Sequence, residues 1–395
     1  MDVTRSNFLQ MLPVIEEAVA KCDFVSIDEE LSGLRKGRGG DMFDEQRDRY
    51  RKMRDACMGY SIIQFGLTCF RKNKGLENGQ LSYACHSFNI FIFPYKVQGL
   101  PRHLERNVEM QTSAVSFLRA HGFDFNVLFD EGISYLTLKE EQECEKAFRD
   151  NEEKTSQQGT VVPEDMRDFV DECVHQVRQF VSEDGDPGRR LDLPVCTSFK
   201  RKLLYEALSS HSLRDSISIA TLPVAPASRD CFLSITRSSP EAKRQKSKDI
   251  LTEAAGFSKI LHIISKCKKP LVGHNLMLDI MHVVGQFLTD LPDTYEEFKE
   301  VVHDMFPDLY DTKYVASTLA LRKLVPSTTL EDLNETLSRK PFKPVLIQPV
   351  TAEGQNTDRT RVSDRGDKAF HQAGYDSYIT GHCFIRMNNY MQVWR

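Results

Sequence analysis

The sequence predicts an α/β fold in which a mixed sheet is interrupted by a smaller α/β unit. Strand-like segments with alternating or continuous aromatic and β-branched residues occur at 23–31, 59–70 and 84–94. A further strand-like run at 269–275 is followed by helical apolar spacing over 276–285. Together these segments predict one mixed sheet with helices packed against it.

The smaller unit is predicted from a change of composition in the middle of the chain. Residues 136–158 are highly polar, first helical in character and then loop-like. Helical spacing follows at 163–181 and 198–208, and 231–235 is strand-like. The Lys/Arg run 243–248 is interpreted as a solvated linker, with an RNA or targeting patch as the alternative. We predict a main domain in two parts, 1–162 and 237–395, and an inserted α/β domain, 163–236.

An acidic pair closes the first strand-like segment, within FVSIDEELSG. Alternation along a strand places Asp28 and Glu30 on one face, about 7 Å apart, and turns Glu29 to the other face. Two such carboxylates repel each other unless cations neutralise them, which favours a site for hard metal ions. For the pair taken alone, a strand end with solvated charges is the alternative. We expect no catalytic role for Glu29.

Two later stretches carry further candidate residues. Asp279 lies in the first turns of the helix predicted after PLVGHN, where a lone acid would also suit the helix dipole. His371 precedes Asp376 by five residues in FHQAGYDSYITG, which leads into an apolar helix. For a lone histidine, a helix start without chemistry is the alternative. The order of these acidic residues along the chain therefore says more about function than any one of them alone.

That order resembles a known enzyme family. Asp-x-Glu, then Gly-His-Asn followed by Asp, then His-x4-Asp is the order of the DEDDh 3′-to-5′ exonucleases. Within them, the chain is similar to the poly(A)-specific ribonuclease family, which includes the piRNA 3′-end trimmer. The similar segments are QFGL at 64–67, SFNIFIFP at 87–94, GFDFN at 122–126 and LYDTK at 309–313. The resemblance implies a ribonuclease H-like nuclease domain.

The resemblance also implies roles for individual residues. His371 would be the general base, a role that a neutral imidazole can perform near pH 7. Lys313 would contact the RNA backbone, with a solvated charge as the alternative. For His274, which lies in the strand-to-helix turn near the expected site, contact with RNA, orientation of Asp279 and simple turn packing are all open. The resemblance implies two divalent ions, Mg²⁺ with Mn²⁺ as the alternative, and four carboxylate ligands for them: Asp28, Glu30, Asp279 and Asp376.

The implied activity is stepwise removal of 5′-monophosphate nucleotides from the 3′ end of single-stranded RNA. Poly(A) tails and small-RNA precursors are both open as substrates, and the family resemblance implies a homodimer. A DNA exonuclease and a catalytically inactive RNA-binding scaffold are the alternatives. Leu31 replaces the aromatic residue that the poly(A) enzyme has after its second ligand, which removes a stacking surface. The family's Arg-x3-His signature is missing from the insertion, so its RNA-binding role is open.

Composition favours an enzyme that works inside the cell. The 395 residues carry a formal net charge of −5, which disfavours a pure nucleic-acid-binding module. Ten cysteines occur without a Cys-x2-Cys pair, which disfavours zinc modules and a secreted disulfide framework. Neither a secretory leader nor a run of eighteen apolar residues is present in the sequence. We expect a cytoplasmic protein, with a nuclear or membrane-tethered longer form as alternatives.

Overall fold

A computed structural model of the protein describes most of the chain. The described residues are 1–34, 44–57, 59–77, 80–95, 97, 100, 104–154, 162–183, 189–209, 213–225, 228–350 and 371–391. The predicted boundary between the main domain and the insertion, at residues 162 and 163, directly follows one of the gaps in this description, 155–161. None of the helices within them combines the length and the apolarity that crossing a bilayer requires.

Ten strands form two sheets in the described ranges. In chain order they are β1 (Asp2–Val3), β2 (Phe24–Leu31), β3 (Ile62–Glu77), β4 (Gln80–Phe91), β5 (Arg190–Asp192), β6 (Ile217–Pro223), β7 (Cys231–Arg237), β8 (Leu271–Gly273), β9 (Leu309–Asp311) and β10 (Leu346–Pro349). The main sheet has the order β1-β4-β3-β2-β8-β9, with β10 also paired to β4, and the small sheet has the order β5-β7-β6.

Helices follow the same chain order. They are α1 (Phe8–Lys21), α2 (Gln46–Cys57), α3 (Thr112–Ala120), α4 (Phe125–Glu131), α5 (Leu138–Lys154), α6 (Arg167–Ser182), α7 (Ser198–Ser209), α8 (Pro240–Ala255), α9 (Phe257–Cys267), α10 (Met277–Val283), α11 (Tyr295–Met305), α12 (Thr312–Ala316), α13 (Leu330–Leu337) and α14 (Ala373–Met391). A π-helical turn, Val284–Leu288, continues α10 directly.

The predicted mixed α/β fold is confirmed. Strand β2 pairs antiparallel with β3 and parallel with β8, and β8 pairs parallel with β9. Since β3 and β4 are also antiparallel, β3 is the single reversed member of the central order β4-β3-β2-β8-β9. This is the ribonuclease H-like arrangement. The carboxyl ends of β2, β8 and β9 therefore lie at one edge of the sheet, where ligands of open α/β sheets bind.

Strand β2 separates two packing environments. Its odd positions, Val25, Ile27 and Leu31, belong to the main apolar core beneath the sheet, which includes residues of α1, α9 and α10. Its even positions face α14: the Ser26 hydroxyl donates to the backbone oxygen of Ser377 at 2.6 Å. The alternation that was predicted from the sequence therefore directs Asp28 and Glu30 to the face that α14 covers.

Polar side chains of the sheet hold the start of α14. The backbone N–H of Ala373 donates to Gln64 Oε1 at 3.0 Å, and that of Gly374 donates to Asn89 Oδ1 at 3.2 Å. These contacts satisfy amides that a helix leaves without partners in its first turn. They also fix the position of the start of α14 on the sheet, over β3 and β4.

Gly66 allows this helix to approach β3 closely. A Cβ at position 66 would lie 1.8 Å from the backbone oxygen of Ala373. Backbone atoms cannot rotate away, so a side chain at this position would displace the start of α14.

We expect Gly66→Ala to lower the free energy of unfolding by about 1–3 kcal/mol, the usual cost of overpacking. Thermal unfolding measures this loss. Gly285→Ala is the matched control, because its Cβ would meet a movable atom, Leu291 Cγ, at 3.2 Å. Equal melting temperatures for the two variants would contradict the close contact between α14 and the sheet.

A second compact unit is formed by Gln98–Leu100 and Glu141–Glu253. Within it, α6 and α7 pack on the antiparallel sheet β5-β7-β6 around a core of its own. The predicted insertion bounds, 163–236, fall inside this unit and stay a prediction.

The linker predicted at 243–248 is wrong. These residues lie within the helix α8. Glu, Ala, Lys, Arg and Gln are strong helix formers, and Ser239 Oγ accepts a hydrogen bond from the backbone N–H of Ala242 at 3.1 Å. A basic run without glycine or proline therefore continues a helix here.

Candidate active site

A sharp turn after β8 connects the sheet to Asp279. Asn275 has a φ of 61°, in the left-handed region that asparagine tolerates better than most residues. The backbone N–H groups of Asn275 and Leu276 donate to the carboxylate of Asp311 at 3.1 and 2.9 Å. This turn brings the chain directly into α10, whose first turn contains Asp279.

Asp311 holds two elements at once. Besides the turn after β8, it accepts hydrogen bonds from the backbone N–H groups of Lys313 and Tyr314, at 2.9 and 3.2 Å, and so caps α12. One carboxylate therefore connects the ends of β8 and β9. The position of Asp279 beside the sheet edge follows from this connection.

The start of α14 supplies His371 and Asp376. The backbone N–H of His371 donates to Asp376 Oδ2 at 2.9 Å, and His371 has a φ of 68°. Asp376 Oδ1 is buried and has no hydrogen-bond partner among the described residues. One ligand atom each of Glu30, His371 and Asp376 lie within 4.8 Å of one another. Residues more than 300 positions apart in sequence are thus side by side.

Mutual repulsion and burial make the four carboxyl groups poor acids. Burial raises the pKa of Asp28 well above its usual range, and the charges of Asp376, Glu30 and Asp279 raise it further. Burial and neighbouring charges also raise the pKa of Glu30 to about 8. The pKa of Asp279 and that of Asp376 are each raised to about 7, chiefly by burial. Such a group becomes fully ionised at neutral pH only when cations compensate its charge.

The donor set fits hard divalent ions. Carboxylate oxygens are the ligands that Mg²⁺ prefers, and one of them, Asp376 Oδ1, is buried without a partner in the part of the chain that the structure describes. Asp28, Glu30, Asp279 and Asp376 would hold the ions.

Phe117 of α3 and His121, which directly follows this helix, contact the His371 ring. The ring centroids of Phe117 and His121 lie 4.7 and 4.3 Å from that of His371, both in edge-to-face geometry. His121 Nδ1 donates to the backbone oxygen of Phe117 at 2.8 Å. Burial lowers the pKa of His371, and the neighbouring His121 lowers it further, which favours the neutral imidazole. A neutral ring can accept a proton.

His274 and Lys313 lie at the same sheet edge with different surroundings. The Thr312 hydroxyl donates to the backbone oxygen of Gly273 at 3.0 Å, so it accepts from His274 Nδ1 at 2.8 Å. His274 is half-buried, and burial lowers its pKa. Lys313 is exposed at the start of α12. Their RNA contacts stay predictions.

Glu29 occupies the opposite face of β2, as alternation predicted. It is only 9 % exposed, and neither carboxylate oxygen has a hydrogen-bond partner within the described ranges. Burial raises its pKa well above the usual value, with Asp279 and Asp28 adding to the shift. The fold therefore favours the protonated form of Glu29.

We expect Glu29→Met to raise the free energy of unfolding at pH 7 by about 1–3 kcal/mol, the range for a buried polar group without a partner. Because the pKa of Glu29 is raised in the folded state, this group costs no stability below about pH 4.5, and its cost grows as the pH rises above that value. Chemical denaturation at pH 4 and pH 7 measures the difference. A gain that is larger at pH 4 than at pH 7 would contradict this account.

Some residues around the site were not predicted from the sequence. Phe117 lies in α3 and His121 directly follows it, and neither belongs to a motif with acidic residues. Gln64 and Asn89 lie on strands inside family-like segments, QFGL and SFNIFIFP, which could have identified them. Asp311 was visible in LYDTK, but its four backbone contacts depend on the fold.

The comparison with known families shows which family the chain belongs to. A family model described as CAF1 family ribonuclease matches residues 3–384. The chain belongs to the CAF1 ribonuclease family. This confirms the predicted family relationship, since poly(A)-specific ribonucleases and a piRNA trimmer are among its relatives.

Three relatives show to which enzymes this CAF1 family chain is similar. The poly(A)-specific ribonuclease PARN of Xenopus laevis is 33 % identical over 415 residues, covering 99 % of this chain and 63 % of the relative. The poly(A)-specific ribonuclease PNLDC1 of Mus musculus is 29 % identical over an alignment that covers 98 % of this chain and 71 % of the relative. The pre-piRNA 3′-exonuclease trimmer of Bombyx mori is 25 % identical over an alignment that covers 99 % of this chain and 71 % of the relative. The chain spans less than two thirds of the length of the PARN relative.

Proposed function

We propose that this chain is a metal-dependent 3′-to-5′ exoribonuclease of the DEDDh type. The observation that carries the proposal is the convergence of Glu30, His371 and Asp376 within 4.8 Å, in a chain of a ribonuclease family. Asp28 and Asp279 belong to the same electrostatic group, because their charges interact with those of the others. Its product would be a 5′-monophosphate nucleotide.

The chemistry divides between the ions and the protein. When bound by the four carboxylates, two divalent ions would orient the attacking water and stabilise the leaving 3′ oxygen of an in-line displacement. His371 takes the proton from the attacking water, since the lowered pKa of its ring favours the neutral form. Phe117 and His121 limit the rotation of that ring through their edge-to-face contacts.

The surface around His371 suits a single-stranded 3′ end. The side chain of Phe117 is 44 % exposed beside His371, and an exposed aromatic ring is a stacking surface for a base. Lys313 and His274 would contact the RNA backbone. Leu31 is only 7 % exposed and belongs to the core, so it offers no stacking surface to the substrate.

The substrate would be a poly(A) tail or a small-RNA precursor. Relatives named for poly(A) and for pre-piRNA both match nearly the whole chain. We further propose a homodimer and a location inside the cell. Light scattering measures the oligomeric state.

One assay separates the candidate activities. The 395-residue chain is incubated with 5′-labelled oligo(A), mixed-sequence RNA or DNA of equal length, with Mg²⁺ or with a chelator. We expect RNA ladders that shorten from the 3′ end only with Mg²⁺. Degradation of DNA at the same rate would favour a DNA exonuclease, and RNA binding without degradation would favour an inactive scaffold.

A further inference from the structure

The closest group of metal-ligating atoms in the site includes an imidazole. Among the described residues, the atoms of Glu30, Asp376 and His371 approach one another within 4.8 Å. Three ligands of a tetrahedral ion with bonds of about 2.1 Å lie about 3.4 Å apart. Small side-chain rotations would therefore bring these three atoms around one ion.

Two features indicate that these three residues bind a cation. Asp376 is 6 % exposed, and its Oδ1 atom is buried without a partner in the described part of the chain, while Oδ2 holds the backbone of His371. His371 has a φ of 68°, which is uncommon for a residue with a side chain and persists only where the surroundings hold it. The rings of Phe117 and His121 contact the imidazole in edge-to-face geometry.

The chemistry of the three donors differs from that of an all-carboxylate site. Mg²⁺ prefers oxygen ligands, so it leaves the imidazole free. Zn²⁺ binds imidazole and carboxylate together, commonly with three protein ligands and one water, and it binds nitrogen sites more strongly than Mn²⁺ does.

We propose that Glu30, Asp376 and His371 form a zinc site that excludes the catalytic arrangement of the same residues. Zn²⁺ bound there uses the imidazole as a ligand, so His371 can no longer accept a proton. It also takes two of the carboxylates that the catalytic ions need. Zn²⁺ is therefore an inhibitor, and this consequence rests on the proposed nuclease function, whereas the binding itself does not.

Metal titration of the whole chain tests the site without an activity measurement. Wild type and His371→Gln are titrated with Zn²⁺ by calorimetry and with Co²⁺ by visible absorption, where tetrahedral coordination gives intense bands. Mn²⁺ binding is measured in parallel by electron paramagnetic resonance. His303→Gln, an exposed histidine of α11, is the matched control for loss of a histidine.

We expect His371→Gln to weaken Zn²⁺ binding by more than roughly 10²-fold. Loss of a residue that only hydrogen-bonds to a metal ligand has a smaller effect. The tetrahedral Co²⁺ bands should disappear in the same variant, Mn²⁺ binding should not change, and the control should match wild type. Equal Zn²⁺ affinity in wild type and His371→Gln would overturn the site.

The inhibitory effect is measured on wild type with RNA and saturating Mg²⁺. We expect added Zn²⁺ to stop degradation at concentrations that fill the site in the calorimetric titration. Zn²⁺ that binds through His371 but leaves degradation unchanged would overturn the inhibition. If wild type degrades no RNA in Mg²⁺ alone, the nuclease proposal fails, and the titration still decides whether the zinc site exists.

Discussion

Alanine in place of any one of the four clustered carboxylates is expected to reduce Mg²⁺-dependent RNA degradation by more than roughly 10³-fold, because several kcal/mol of transition-state stabilisation depend on the bound ions. The variants are Asp28→Ala, Glu30→Ala, Asp279→Ala and Asp376→Ala. Single-turnover assays with labelled RNA measure the loss.

The same variants should keep their fold, because removing one acid from a repelling group relieves unfavourable charge. Without Mg²⁺ we expect melting temperatures equal to that of the wild type or higher. With Mg²⁺ at 100 times its Kd, the wild type should gain about 2.7 kcal/mol from binding, and the variants should gain much less. Glu29→Met, on the opposite face of β2, should keep the full gain. Near-normal activity in two of the four alanine variants would rule out the assignment.

His371→Ala should lower kcat by roughly 10²–10⁴-fold, the usual contribution of a general base, with little change in RNA affinity. The pH profile of the wild type gives a second readout. The imidazole must be neutral to accept a proton, so activity is lost as the pH falls through the pKa of His371, which burial places below 6.5. Saturating Mg²⁺ keeps the four carboxylates ionised, so this acidic limb reports the histidine.

In His371→Ala that acidic limb should be absent at saturating Mg²⁺. His303→Ala, on the exposed face of α11, should keep both the rate and the profile of the wild type. A His371→Ala enzyme with normal kcat and weakened RNA binding would identify the residue as a substrate contact. That result would leave the base unassigned.

The sheet and the position of its acids could be predicted because strand alternation is a local rule. Asp28 and Glu30 share a face for the same reason that Val25 and Ile27 share the other, and this follows from the pleat alone. Whether Asp279 and Asp376 reach that face depends on strand order and helix docking, which no local pattern contains. The family resemblance supplied that step.

Other features depend on contacts between distant segments. Glu29 was correctly placed on the opposite face, but its burial without a partner depends on how the core closes around it. The basic run 243–248 was assigned to a linker because of its charge, whereas helix propensity and the Ser239 cap decide its structure. Phe117 and His121 meet His371 only because α3 lies beside the start of α14.

The closure of the sheet by α14 bears on how the protein is made. The hydrogen bond from Ser26 to Ser377 joins residues 351 positions apart. During synthesis, β2 leaves the ribosome long before α14 exists, and contacts of such high sequence separation form late in folding. Asp376 and His371 cannot join Glu30 until translation has passed α14. A nascent chain that has not yet reached α14 therefore lacks two residues of the candidate site.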